Sequence, residues 1–398
     1  MRESVDKRIE SYEKDMVNTL KEMISTPAIS PESGGEGESK RADFLERVLR
    51  SWGFDPRRFD YIDEHGAKRS NIVVSSGNKR KLWIVCHIDT VSPGNLDLWK
   101  SNPFEAKVED GRIYGRGACD NGQSVVGAMY ALRALREEGE SLENIGVALV
   151  ADEELGSKYG ISKLIEEGIF GKDDMVLVPD WGNERGDEIE IAEKSILWLK
   201  IKVEGKQAHG STPEKGINAF RHMISFLSKA DELLNKKYGY KYPPFGTGST
   251  FEMTKHEKNV DSVNIIPGIE VAYMDCRILP KYSIDEIIDE LNELAKGEAL
   301  KGARITIEPY VREDAPEPTS ESAEVVSKLK DVLKRIRGID AKCVGIGGGT
   351  CASFFRKKGM SAAVWSTIYD VAHEPNEFCE IKNMVEDSKV FAHLAFES

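Results

Sequence analysis

Three strand-length apolar runs, each ending in a histidine or an acid, constrain this chain more than any other feature of it. Leu82 to Cys86 breaks into His87, Ile88 and Asp89; Ile145 to Ala151 ends in Asp152, Glu153 and Glu154; MVLVP at 175 to 179 ends in Asp180. Runs that do not alternate with polar residues are those of a parallel sheet buried on both faces, and helical periodicity separates them. Such open α/β sheets bind ligands beyond the carboxyl ends of their strands. One acidic strand end is ordinary solvation; the repetition points to a site. Residues two apart in an extended chain project together, so Asp89 is placed to hold the second ring nitrogen of a metal-binding His87.

The texture follows this plan on either side. A helix is predicted over Val5 to Ser25 and another over Lys40 to Trp52. Asn71 to Ser75 and Lys81 to Asp89 read as a strand pair joined by the polar turn GNKRK. The long segment from Val91 to Gly122 carries Pro, Gly and Trp and reads as an ordered functional loop. It ends at Asp120, which is a ligand or the cap of the helix Gln123 to Glu138. From Glu188 the pattern turns to alternating strands with two amphipathic helices, an inserted α+β domain over 197–309 between catalytic parts at 1–196 and 310–398. After it come a helix over Ala323 to Arg337, strands at Ala341 to Ile346 and Ala362 to Ser366, and a last helix from Ile381 to Phe396.

Composition narrows the function. With 398 residues the chain has room for two cores, and a net charge of −13 leaves no basic patch for nucleic acid or anionic lipid. No run reaches the roughly twenty apolar residues of a membrane span, and the charged start MRESVDKRIESYEKDM has no secretory apolar core. Six cysteines without CxxC spacing suit a reducing compartment, so the expected location is cytoplasmic. GIGGGT matches neither dinucleotide nor P-loop spacing.

The strand ends and the final third supply His87, Asp89, Asp120, Glu153, Glu154, Asp180 and His373. Imidazole and carboxylate without thiolate suit zinc first, with cobalt or manganese as alternatives. So many donors serve two ions better than one: His87 with Asp180, Glu154 with His373, Asp120 bridging, and a shared water between.

HID at 87–89, GRGACDNG at 115–122, ADEELGS at 151–157, Pro-Asp at 179–180, GKQAHGSTPEKGINA at 205–219, NIIPG at 264–268, DCR at 275–277, GGGT at 347–350 and AHEPNE at 372–377 together resemble an ordered motif set. It is that of the acetylornithine deacetylase, succinyl-diaminopimelate desuccinylase and glutamate carboxypeptidase family of dinuclear zinc hydrolases. The resemblance implies a zinc-exopeptidase-like α/β catalytic domain with a mixed, mostly parallel sheet, an inserted dimerisation and lid domain, and a homodimer. It implies the ligand set above, Asp89 orienting His87, and Glu153 as the general base that takes a proton from the bridging water. It further implies that His209 stabilises the oxyanion across the dimer, and that Asn264, Arg277, Gly348 and Gly349 meet the substrate. A structural ion pair with Asp275 is the other reading of Arg277. The stretch GGGTCASFF looks more like the peptidase branches than the desuccinylases. The expected activity is hydrolysis of an N-acyl amino acid of the desuccinylase or deacetylase type. The alternatives are a metal carboxypeptidase or dipeptidase, and a non-catalytic homologue that binds an amino acid.

Overall fold

The computed structural model describes residues 2–77, 79–299 and 301–397. Its chain divides into two compact units. One holds the described residues up to Ile191, with Thr319–Cys343 and the stretch from Thr350 on; the other holds Ala192–Pro318 with Val344–Gly349.

The first unit is organised by a mixed sheet in the order Arg57–Ile62, Lys68–Ser75, Ile145–Val150, Leu82–His87, Met175–Asn183, Ala362–Thr367, Glu188–Glu193. Its four middle strands run parallel, so their carboxyl ends share one edge. Leu82–His87 and Ile145–Val150 are buried at every position. The reason lies in the layers around them. On one face Trp83, Val85, Ala148, Val150 and Val176 pack with Ile161, Leu164 and Phe355 from the helices Ile161–Glu166 and Ala352–Lys357. The helices Gln123–Glu137 and Ile381–Ala395 pack on each other and on Leu82–His87. Each large apolar side chain so buried contributes about 1.5–3 kcal/mol.

Two local expectations fail for physical reasons. Lys68–Ser75 does not pair with Leu82–His87, because Ile145–Val150 lies between them, antiparallel to the first and parallel to the second. A strand apolar on both faces needs a neighbour on each edge, and the connection after Ser75 is long enough to cross the roughly 9.6 Å of two strand spacings. The first helix breaks at Tyr12 into Arg2–Ser11 and Glu13–Ile24, where the Tyr12 hydroxyl donates to Glu137 at 2.5 Å.

The loop after Asp89 is ordered by a small sheet of Lys107–Glu109, Arg112–Tyr114 and Phe378–Glu380. It ties the chain just before Asp120 to the chain just after His373.

In the second unit the strand order is Thr250–His256, Ile269–Ile278, Ser195–Glu204, Arg304–Glu313, all antiparallel. Leu197, Leu199, Ile201 and Val203 alternate inward onto Phe226 and Leu234 of Ala219–Tyr238 and onto Ile287 and Leu291 of Ile284–Ala299. The unit is wider than the 197–309 span read from the sequence, because the paired register runs from Ser195 to Glu313. Among the described residues no helix is long and apolar enough to cross a membrane.

Candidate metal centre

His87 is the last residue of its strand. Its Nε2 lies 2.7 Å from Asp120 Oδ1 and 3.2 Å from Asp180 Oδ1. Its Nδ1 faces Asp89, 3.2 Å from the carbonyl oxygen and 3.4 Å from Oδ1. The same Asp89 carboxylate accepts the backbone N–H of Glu153 at 3.1 Å and of Glu154 at 3.0 Å, which binds two strand ends together.

Those two glutamates follow Asp152, whose φ of +65° is left-handed, a conformation costing a β-carbon residue about 1–3 kcal/mol. The turn is over-determined. Asp152 accepts Tyr159 N–H at 2.9 Å on its side chain and Ser157 N–H at 2.6 Å on its carbonyl. Arg69, itself buried, lies 3.0 Å from Asp152 and also pairs with buried Glu38.

Asp120 does not cap the following helix. Gly122 stands in the cap position without a side-chain bond, and the Asp120 carboxylate is turned between two imidazoles, Oδ2 lying 3.1 Å from His373 Nε2. His373 sits at φ +63° on a loop and also reaches Glu154 Oε2 at 3.0 Å. Asp180 accepts the Asn121 side-chain amide at 2.7 Å. Glu153 completes the cluster, with donor atoms within 4.8 Å of those of His87 and Asp180. Its carboxylate has no hydrogen bond or ion pair among the described residues. The structure therefore brings His87, Asp89, Asp120, Glu153, Glu154, Asp180 and His373 together.

The electrostatics show what the cluster demands. Burial drives the Glu153 carboxyl well above the usual range, with Asp180 adding to it, and burial with the Asp120 charge pushes Glu154 up to about 7. Hydrogen bonds to Asp120 and Glu154 push His373 up to about 10. Burial opposes the charged form of His87, yet Asp180 and Asp120 outweigh it and its pKa is raised well above the ordinary value. Burial likewise opposes the Asp120 anion, but the two imidazoles hold its carboxyl well below the carboxylate range. Four carboxylates thus draw in whatever positive charge is available. Imidazole nitrogens and carboxylate oxygens at this spacing suit divalent cations of the zinc type, which supply that charge and leave the rings neutral.

The remaining predicted residues belong to the second unit. His209 is exposed, its Nδ1 2.8 Å from Ser211 Oγ. Asn264 is exposed, and its carbonyl accepts Gly210 N–H at 2.7 Å. Arg277 pairs with Asp275 at 2.7 and 3.0 Å and donates to the Gly347 carbonyl at 3.3 Å. A β-carbon built on Gly348 or Gly349 would meet open space.

Sequence reasoning left Glu377, Arg116, Arg69 and Glu38 without a role, although the first two stand inside the AHEPNE and GRGACDNG motifs. Burial of a charged residue was the signal, and it is invisible in a short charged stretch.

Residues 83–397 match the model of peptidase family M20/M25/M40. The chain belongs to that family. It is 36% identical to an uncharacterised metallohydrolase of Methanocaldococcus jannaschii over 96% of this chain and 98% of that one. It is 25% identical to a succinyl-diaminopimelate desuccinylase of Rickettsia felis, over 96% and 99% of the two chains. Its fold is similar to that of the aminopeptidase PepT of Bacillus cereus, with a TM-score of 0.78 at 20% identity over 97% and 98% of the chains. An M20 member is a metal-dependent hydrolase, and the donor cluster lies inside the matched span.

Proposed function

We propose that this M20 hydrolase cleaves the amide bond of an N-acyl amino acid, in the manner of a desuccinylase or deacetylase, with two zinc ions held per chain. His87 and Asp180 would hold one ion and Glu154 and His373 the other, with Asp120 available to both. The observation that carries the reading is the pairing at Asp120, one oxygen to each imidazole, beside a Glu153 carboxylate with no hydrogen bond or ion pair among the described residues. Zinc bound there would supply Lewis acidity to the scissile carbonyl and lower the pKa of a water.

The chain's own residues do the rest. Glu153, half-buried beside Asp180, takes a proton from the attacking water and delivers it to the leaving amine. Asp89 fixes the ring of His87 and, through its two backbone contacts, the direction of both glutamates. His209 of a second copy in a homodimer stabilises the oxyanion. Asn264 and the backbone at Gly348 and Gly349 meet the substrate, and Arg277 reaches its carboxylate only by exchanging the Asp275 ion pair for it.

A peptidase reading is supported by one observation. Cys351 and Ala352 are buried in the core of the first unit, so no charged group there meets a succinyl carboxylate.

The test uses purified, zinc-replete protein and a panel of N-succinyl, N-acetyl and dipeptide substrates. Chelation is expected to abolish amine release, and zinc, cobalt or manganese to restore it. Glu153→Gln is expected to lower turnover by about 10²–10⁴-fold with metal content unchanged. Persistent turnover sinks Glu153 as base, and loss of metal from the variant makes it a ligand instead.

A further inference from the structure

Glu377 is a fully buried carboxylate that holds the backbone of the loop carrying Asp120. Oε2 accepts the N–H of Gly117 at 2.9 Å and Arg116 Nη1 at 2.7 Å. Oε1 accepts the N–H of Cys119 at 2.8 Å and of Asp120 itself at 3.0 Å. Arg116, 2% exposed, continues across: its Nη2 donates to the carbonyl of His373 at 3.2 Å, and its guanidinium lies 5.2 Å from the Trp99 ring centroid. The Glu377 carbonyl accepts Gly115 N–H at 2.9 Å. One ion pair therefore fastens the loop that carries Asp120 to the loop that carries His373.

The two histidines differ in what else holds them. His87 ends a central strand and is oriented by Asp89, and Asp180 is held by Asn121; neither touches Arg116 or Glu377. His373 stands half-exposed at a left-handed φ on a loop. Arg116 fixes that loop at the His373 carbonyl, and Asn376 fixes it by accepting Lys100 N–H at 2.7 Å and donating to the Leu98 carbonyl at 3.0 Å. Burying two charges is a poor source of stability, but it rewards one geometry strongly.

We infer that Arg116 and Glu377 are positioning residues that set the separation of Asp120 and His373, and so govern the affinity of the ion at Glu154 and His373, both of whose loops they fasten, more strongly than that of the ion at His87 and Asp180, which shares only Asp120. The inference rests on the two-ion reading above. Groups that orient ligands are worth about 10–100-fold in metal affinity when removed.

The test is a zinc titration of the metal-free full-length protein, with bound ions per chain measured by elemental analysis after gel filtration. The wild type is expected to take up two ions. Glu377→Gln sets an amide N–H₂ against the N–H groups it must accept, and Arg116→Lys retains charge but cannot reach both Glu377 and the His373 carbonyl. Both variants are expected to bind the second ion about 10–100-fold more weakly than the wild type and the first with a clearly smaller loss, with unchanged far-ultraviolet circular dichroism. Two ions bound with wild-type affinities overturn the inference, and so does an equal weakening of both, which marks a general loss of structure. A wild type that holds fewer than two ions overturns the two-ion reading, and the inference with it. Should Glu377→Gln not fold, Arg116→Lys alone decides between these outcomes.

Discussion

Asp89, Glu38 and Glu377 are buried acids whose work is to hold backbone or another charge. Arg69 is the counter-charge to one such group: it pairs with Glu38, lies 3.0 Å from Asp152 and 3.6 Å from Asp63, and has no exposed surface. Arg69→Leu would leave these carboxylates facing one another in a desolvated site and release the left-handed turn ahead of Glu153. Removing one partner of a buried ion cluster costs about 3–5 kcal/mol, and urea denaturation at neutral pH is expected to show a loss of that size; a loss below about 1 kcal/mol would mean that water or rearrangement satisfies the site. The residues of the donor cluster were legible in the sequence because all but His373 follow an apolar run or a Gly-rich loop, and His373 stands in the AHEPNE motif. The Arg116 and Glu377 pair was not, because its members are 261 positions apart and a lone Arg or Glu in a loop is ordinarily solvated.

At the scale of elements, parallel strands packed on both faces put three acidic or imidazole termini at one edge, and close approach between strands sets their spacing. Gly182, two residues after Asp180, pairs with Ser366 where the register of Met175–Asn183 against Ala362–Thr367 shifts. A β-carbon there would stand 1.9 Å from the Ser366 carbonyl oxygen. That neighbour is backbone and cannot rotate away. Gly182→Ala is expected to push the strands apart and destabilise the protein by about 1–3 kcal/mol, the usual cost of overpacking, measured by urea midpoint; an unchanged midpoint would show that the sheet edge yields freely. Element types were read from burial pattern with little loss, since an all-apolar run and an alternating one have different partners. Pairing was not. The GNKRK turn is local and looks like a hairpin, whereas the insertion of Ile145–Val150 between its arms depends on a strand from far along the chain.

At the scale of the molecule, every imidazole and carboxylate of the candidate centre belongs to the first unit, and they reach it from five separate segments: the strand end at His87, the loop at Asp120, the turn at Glu153 and Glu154, the strand at Asp180, and the loop at His373. Ions held there act as cross-links of the folded state alone. Ligand binding to the native form stabilises by RT ln(1 + [L]/Kd), about 2.7 kcal/mol at a hundredfold excess over Kd, so chelation is expected to lower the melting temperature and zinc to raise it with concentration. The effect has an address. Without cations the carboxylates are held together only by protons and the two charged imidazoles, and the segments they stand on open locally. Amide hydrogen exchange is expected to quicken on chelation at 115–122, 151–157 and 371–377, and to remain as it was in Ser195–Glu204 and Ile269–Ile278, whose hydrogen bonds and core are complete within the second unit. Equal quickening in both units would show that the ions support the whole fold, and no change at the three segments would show that backbone contacts such as those of Asp89 and Glu377 hold the site without them.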